Sequence, residues 1–247
     1  MEYNPFSLKD KTIIITGASS GIGRATAIEC SKLGAKLILL GRSEDRLKET
    51  LENLAGSEHK FYSGDLTIDD KITEIVSKID NIDGIVYSAG INDKSLIKSL
   101  NREKIEKMYN TNIFSPMLFT KEILKQKKLN KEGSIVMISS ISSNYATISN
   151  ALYASSKGAL ESFIKVSALE LSSRRIRVNG IRPGVIETPL LNSYTLKEEL
   201  ESFKSQFPLG RFGTPEEIAY GAIYLLSDAA KWITGTIFNI DGGVTLR

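Results

Sequence analysis

Short runs that are apolar almost without interruption alternate along this chain with longer stretches whose apolar residues recur every three or four positions. KTIIIT, KLILLG, KFYS, DGIVYS, GSIVMIS, IRVNGI and IFNI read as strands. A strand with one wet face alternates polar and apolar side chains. Several of these do not, which is the pattern of a parallel sheet covered on both faces. Between them, GIGRATAIECSKLG, SEDRLKETLENLAG, TIDDKITEIVSKI and ALYASSKGALESFIKVSALELSSR carry the helical period. This alternation, with right-handed crossovers, predicts an α/β fold: a doubly wound parallel sheet with helices on both faces. No compositional break, repeat or low-complexity tract interrupts it, so a single domain over residues 1–247 is expected. The one long departure, residues 188–214 (TPLLNSYTLKEELESFKSQFPLGRFGT), follows a strand end, where open α/β sheets bind ligands. Long insertions in compact domains are usually functional, and this one reads as a substrate lid.

Composition narrows the function classes. With 247 residues, 41% of them hydrophobic and 25% charged, the chain can bury one large core or two small ones and does not have the signature of disorder. The net charge of +3 is mild. Only KQKKLNK and RRIR concentrate basic residues, too little for a phosphate-tracking face, and no nucleic-acid partner is expected. A single cysteine, Cys30, excludes an intramolecular disulfide framework and sits in a helical run, where it reads as a small buried hydrophobe. With one histidine, His59, and no HExxH, no metal site is expected. No signal peptide and no apolar run long enough to span a bilayer is visible, which predicts a cytoplasmic protein without a membrane partner.

Two features carry candidate chemistry. In KTIIITGASSGIGRATA, Gly17, Gly21 and Gly23 lie between the first strand and the first helix. Glycine lets a backbone approach a ligand closely, and the free N–H groups at a helix start favour a pyrophosphate. No Gly-Lys-Ser/Thr follows, so this is not a Walker loop. In NALYASSKGALESF, Tyr153 and Lys157 are four residues apart on one helix face. A phenol with its ordinary pKa near 10 is a poor base at neutral pH, and a neighbouring ammonium lowers it. Such a pair can move a proton where histidine is lacking. His59 has no motif around it that would build a Ser-His-Asp triad.

Together, TGASSGIG, YASSK, the ISS ending at Ser140, the Asn112 of YNTNIFSP, NGIRPGVIETPL and FNIDGG resemble the short-chain dehydrogenases/reductases in their single-domain form. The resemblance covers nearly the whole chain. It implies a Rossmann-like sheet and a catalytic set of Asn112, Ser140, Tyr153 and Lys157. Tyr153 would exchange a proton with the substrate oxygen, Ser140 would hydrogen-bond that oxygen, and Asn112 would anchor a water relay through Lys157. It also implies cofactor contacts from Gly17, Ser19, Ser20, Gly21, Ile22 and Gly23, then from Arg42, Asp65 (against the adenine), Leu66, Ala89 and Gly90. Tyr153, Lys157, Pro183, Gly184, Ile186 and Thr188 complete that set. One motif departs: YSAG, Tyr87 to Gly90, stands where the family commonly has Asn-Asn-Ala-Gly.

At the end of the second strand an NAD-preferring enzyme usually carries an acid that accepts from the ribose hydroxyls. Here Gly41 is followed by Arg42, a side chain suited to a phosphate, so NADP(H) is expected over NAD(H). Arg46 reads as a solvent-facing helical arginine. The expected reaction interconverts a ketone and a secondary alcohol. The run PLGRFGTPEEIAYGAIYLLSDAAKWITGTIFNIDGG looks most like the 3-oxoacyl-carrier-protein reductases, and it is shared with sugar-alcohol and steroid dehydrogenases. A carrier-bound acyl substrate would call for basic residues near the cleft, with Lys128, Lys131 and Arg174 as candidates. A silent dinucleotide sensor would be expected to lose Tyr153 or Lys157, and both are present. In relatives the Tyr153 helix and its predecessor pair across a two-fold axis, which implies a homo-oligomer, a tetramer by resemblance.

Overall fold

Ile13 and Ile15 of the first strand point into one buried layer and Ile14 into the other, and every one of the three is fully buried. In the computed structural model, which describes residues 3–192, 204–205 and 207–246, that strand is near the middle of a seven-stranded sheet. The strands are β1 (Thr12–Thr16), β2 (Lys36–Gly41), β3 (Lys60–Ser63), β4 (Ile82–Tyr87), β5 (Leu129–Ile138), β6 (Arg177–Pro183) and β7 (Ile237–Ile240). They run parallel throughout, in the order β3-β2-β1-β4-β5-β6-β7. The order reverses between β1 and β4, and the crevice at such a switch point is where doubly wound sheets bind ligands.

One face packs on α1 (Gly21–Lys32), α2 (Glu44–Glu52) and α8 (Pro215–Leu226), through Ala27, Cys30, Leu47 and Ile218. The other packs on α3 (Asp69–Ser77), α5 (Ser115–Lys125) and α6 (Ala151–Glu170), through Ile72, Phe119, Ile123, Leu160 and Ile164. A helix layer on each side is why β1, β2, β4 and β5 have no wet face and lack the polar alternation of a half-exposed strand. Cys30 is fully buried, as its helical context suggests, and burial pushes its thiol far above the ordinary range. No helix among the described residues is long and apolar enough to cross a membrane.

Two boundaries differ from expectation. The fifth strand begins at Leu129 rather than Gly133, because Leu129 pairs with Ile82 across an irregular register before the regular ladder starts at Ser134. The polar residues between them hid this entry. The helix α4 (Arg102–Tyr109) runs into α5 through one wide π turn, Asn110–Phe114, and π turns concentrate at functional sites. Of the expected lid, residues 193–203 and 206 lie outside the described residues. Its described parts are α7 (Pro189–Asn192) and the return through Phe207 and Phe212, whose rings meet edge-on at 5.4 Å against Ile141 and Val244. The return ends on Thr214, whose hydroxyl accepts from the Glu217 N–H while the Glu217 carboxylate accepts from Thr214, a capping box that starts α8.

Candidate active site

A cleft of about 1020 Å³ opens over the carboxyl ends of β1, β2 and β4. The glycine loop forms its wall for a reason that can be measured. Gly17 has φ +68°, and a Cβ built on it would lie 2.8 Å from the Ala89 nitrogen, so only glycine lets β1 pass the end of β4 this closely. The Thr16 hydroxyl locks the crossing by accepting from the N–H groups of Ser88 and Ala89, each at 3.2 Å. At the N-terminus of α1, Ser20 makes no side-chain cap and the first turn holds no acid. Uncapped N–H groups at a positive dipole end fit the diphosphate of a dinucleotide.

Ser19, Ser20, Gly21 and Ile22 line this cleft on one side, Arg42, Asp65 and Leu66 on another, and Ala89, Gly90 and Thr188 close it. Asp65 is held by its own turn, its Oδ1 accepting from the N–H and hydroxyl of Thr67 at 2.9 and 2.8 Å. Gly23 lies beneath the loop, where a Cβ would strike the Gly17 backbone. Arg46 is exposed as expected yet also lines the cleft beside Arg42 and Ser43, so both arginines face the same end of it. Among the described residues neither guanidinium has an ion-pair partner. Pro183, Gly184 and Ile186 do not line the cleft: Pro183 is buried in β6 opposite Ile240, Gly184 packs on the Asp241 backbone, and Ile186 bridges to Gly213.

The four residues expected to be catalytic converge at the Gly90 end. A Cβ on Gly90 would lie 3.4 Å from Asn112 Oδ1 and 3.6 Å from Lys157 Nζ. Ser140 lies two residues beyond the end of β5, with its hydroxyl beside the half-buried Tyr153 phenol. The Lys157 ammonium donates to the Ile138 carbonyl at 2.8 Å and stands 5.7 Å from the centre of the Tyr153 ring. Burial raises the Tyr153 phenol to about 12, and the Ser140 hydrogen bond opposes that rise. The net direction is upward, not the downward one expected from Lys157, because burial dominates while the ammonium also donates to Ile138. Burial also lowers Lys157 to about 8, against an upward pull from Glu161.

Asn112 is buried in the π turn, and its side chain is occupied. Oδ1 accepts from Ile91 N at 2.9 Å, while Nδ2 donates to Ile91 O at 2.9 Å and Ser156 Oγ at 3.1 Å. It pins the loop after β4. The missing asparagines of YSAG have a structural answer as well. Tyr87 turns into the core, its hydroxyl 2.7 Å from Thr120 Oγ1 and its ring edge-on to Phe119, while Thr16 serves the strand-end amides.

Several polar groups around Ser140 were not singled out from the sequence. Ser140 Oγ donates to Ser142 Oγ at 3.2 Å, and Ser142 accepts from Asn150 Nδ2 at 2.9 Å. Ser139 and Ser143 both donate to the buried Glu161. The repeated serines of SIVMISSISSNYA were the available signal. The basic candidates for a carrier are misplaced: Lys128 precedes β5, Lys131 lies in its first turn of strand, and Arg174 precedes β6 and donates to the Leu129 carbonyl. All three sit at the amino ends of these strands, opposite the cleft. His59 is likewise structural, accepting from Leu37 N at Nδ1 and facing the Ala55 carbonyl with Nε2.

Residues 17–245 match the family described as enoyl-(acyl carrier protein) reductase. The 3-oxoacyl-[acyl-carrier-protein] reductase of Thermotoga maritima is 35% identical over 245 residues, covering 97% of this chain and 99% of that one. A short-chain type dehydrogenase/reductase from Mycobacterium ulcerans superposes with a TM-score of 0.90 at 31% identity, covering 98% of this chain and 92% of that one. A protein from Beutenbergia cavernae, titled a putative NAD(P) dependent gluconate 5-dehydrogenase with bound NADP, gives 0.89 at 27% identity, covering 99% and 100%.

Proposed function

The chain belongs to the short-chain dehydrogenase/reductase family of NAD(P)-dependent oxidoreductases, and on that premise we propose that it is an NADP(H)-preferring ketone reductase working as one cytoplasmic domain. The observation that carries the reading is the meeting behind Gly90: Gly90 lines the cleft, and Asn112 and Lys157, which do not line it themselves, both come within 3.6 Å of a Cβ placed there, with Tyr153 on the Lys157 helix and Ser140 just beyond β5. A reduced nicotinamide held in this cleft would supply the hydride for the carbonyl carbon. Tyr153 gives its phenolic proton to the carbonyl oxygen, and Ser140 turns its hydroxyl from Ser142 to the same oxygen. A phenol held near 12 is fully protonated at neutral pH, which suits the reducing direction. Lys157, charged below about 8, favours the phenolate left behind and passes a proton back to it. The Asn112 side chain is committed to Ile91 and Ser156, so a water relay at this residue is assigned to its main chain and not to its amide.

The glycine loop and the α1 terminus hold the diphosphate, Asp65 and Leu66 border the adenine, and Arg42 with Arg46 receives a 2′-phosphate. The substrate class we favour is a 3-oxoacyl thioester, by likeness to the Thermotoga enzyme, with sugar acids the second class by likeness to the Beutenbergia protein. The assembly we favour is a homotetramer, and apolar residues left exposed on neighbouring helices support helix pairing: Phe114 at 48% beside α5, and Val166 and Leu169 at 55% and 76% on α6. The test is NADPH oxidation by purified protein with a 3-oxoacyl thioester, 5-ketogluconate and a cyclic ketone. Turnover of the thioester at least tenfold above the others supports the reading, and turnover of the sugar acid alone replaces it.

A further inference from the structure

Glu161 is 6% exposed, yet it keeps its charge in the core. A carboxylate so placed is costly unless donors surround it, and here they do. Its Oε1 accepts from Ser139 Oγ at 2.7 Å, Ser143 Oγ at 2.6 Å and Arg182 Nε at 2.7 Å, and its Oε2 accepts from Arg182 Nη2 at 2.5 Å. Burial pushes the carboxyl up, and the bonds from Arg182, Ser143 and Ser139 outweigh it, leaving it below its ordinary value.

The partners belong to three separate elements. Ser139 precedes Ser140, and the Ser143 oxygen, whose one proton is shared between Glu161 and the Ser140 carbonyl, lies 2.8 Å from that carbonyl. Arg182 precedes Pro183 and Gly184 at the end of β6. Glu161 is one turn beyond Lys157 and two beyond Tyr153 on α6. An apolar contact could hold these elements together but would not fix their angles; a bidentate guanidinium–carboxylate pair does. Nothing in the proton transfer uses Glu161 directly. We propose that Glu161, clamped by Arg182, is a positioning residue that sets the Ser140 turn against the Tyr153–Lys157 helix and holds a carboxylate one helical turn from Lys157.

This rests on the reading of Ser140, Tyr153 and Lys157 given above. The titratable groups facing Lys157 are Tyr153 and Glu161 on its own helix, with Arg182 of β6 behind Glu161; β5 contributes the Ile138 carbonyl, and the π turn contributes the neutral Asn112. Glu161→Gln would leave Arg182 positive and unpaired on that side, so Lys157 would lose its proton more readily.

The experiment titrates Lys157 by competitive acetic anhydride labelling read by peptide mass spectrometry, which needs no substrate, alongside kcat and KM. In the native protein the labelling midpoint is expected near 8. In Glu161→Gln it should fall by about one pH unit, with kcat down at least tenfold and KM for NADPH within threefold. Glu161→Gln/Arg182→Met, which removes both charges, should restore the midpoint but not kcat. A folded Glu161→Gln protein with an unmoved midpoint and kcat within twofold overturns the proposal. If Glu161→Gln does not fold, Ser143→Ala removes one donor only: kcat should fall several-fold at constant KM, and an unchanged kcat overturns it equally. If the native protein turns over no substrate, the reading of the site fails, while the labelling midpoints still decide the link between Glu161 and Lys157.

Discussion

Replacing Arg42 with alanine removes a guanidinium that lines the cleft just beyond the last residue of β2 and has no ion-pair partner among the described residues. Gly41 before it has no side chain to accept from a ribose, so under the proposed NADP(H) preference Arg42 would bear on the 2′-phosphate and on little else. A hydrogen bond to a charged group contributes about 1.5–3 kcal/mol. Arg42 is exposed, and Arg46 remains to share the phosphate, so the lower end applies: about 1.5 kcal/mol, close to tenfold in affinity. NADH, which lacks that phosphate, should bind within twofold of its original affinity. Titration of both reduced coenzymes, followed by nicotinamide fluorescence at low and at moderate salt, measures the two losses. The NADPH penalty should shrink as salt rises, because the contact is screened. Equal losses for both coenzymes, or a native protein that binds NADH more tightly, would refute the assignment of this strand end.

Tyr87→Phe deletes a buried hydroxyl 2.7 Å from Thr120 Oγ1 and should cost about 1–2 kcal/mol in chemical denaturation, with NADPH affinity unchanged; no loss would mean that Tyr87 does not stand in for the missing asparagine. Lys157 has its folded pKa lowered to about 8 from the usual 10.5, so the cost of burying its charge is full below about 8 and is relieved as pH rises toward 10.5. Lys157→Met should therefore be more stable than the native protein at pH 7, with the gap closing by pH 10; a gap independent of pH contradicts the burial argument. Light scattering at micromolar concentration should return four times the chain mass, and a monomer mass would remove the proposed helix pairing.

The central strands were legible because burial on both faces leaves an apolar run, as in KLILLG, whose bounds coincide with β2; the half-buried edge strand IFNI was met at its bounds as well, as β7. The amino end of β5 was not, because Asn130, Lys131 and Glu132 carry no apolar signal although Leu129 pairs with Ile82. Within the site, Tyr153, Lys157, Ser140 and the glycines could be picked out because each belongs to a spaced local motif. Glu161, Arg182 and Ser139 could not, since their meeting depends on how β5, β6 and α6 pack, a long-range fact that no local spacing encodes. The direction of the tyrosine shift was misjudged for the same reason. Helical spacing places Lys157 near Tyr153, but only the packed structure reveals that burial of the phenol dominates while the ammonium also donates to the Ile138 carbonyl. The basic residues Lys128, Lys131 and Arg174 failed differently, because nearness in sequence to β5 and β6 does not say at which end of the strands they lie.

The central claim is that Tyr153 transfers the proton, and Tyr153→Phe tests it with the least disturbance, keeping the ring while removing the hydroxyl that Ser140 contacts. NADPH binding and turnover of the best ketone substrate would be measured on the same preparation. General acid–base groups contribute on the order of 10² to 10⁴ in rate. The account predicts a loss of turnover in that range with NADPH affinity within threefold of native; turnover within a few-fold of native would contradict it.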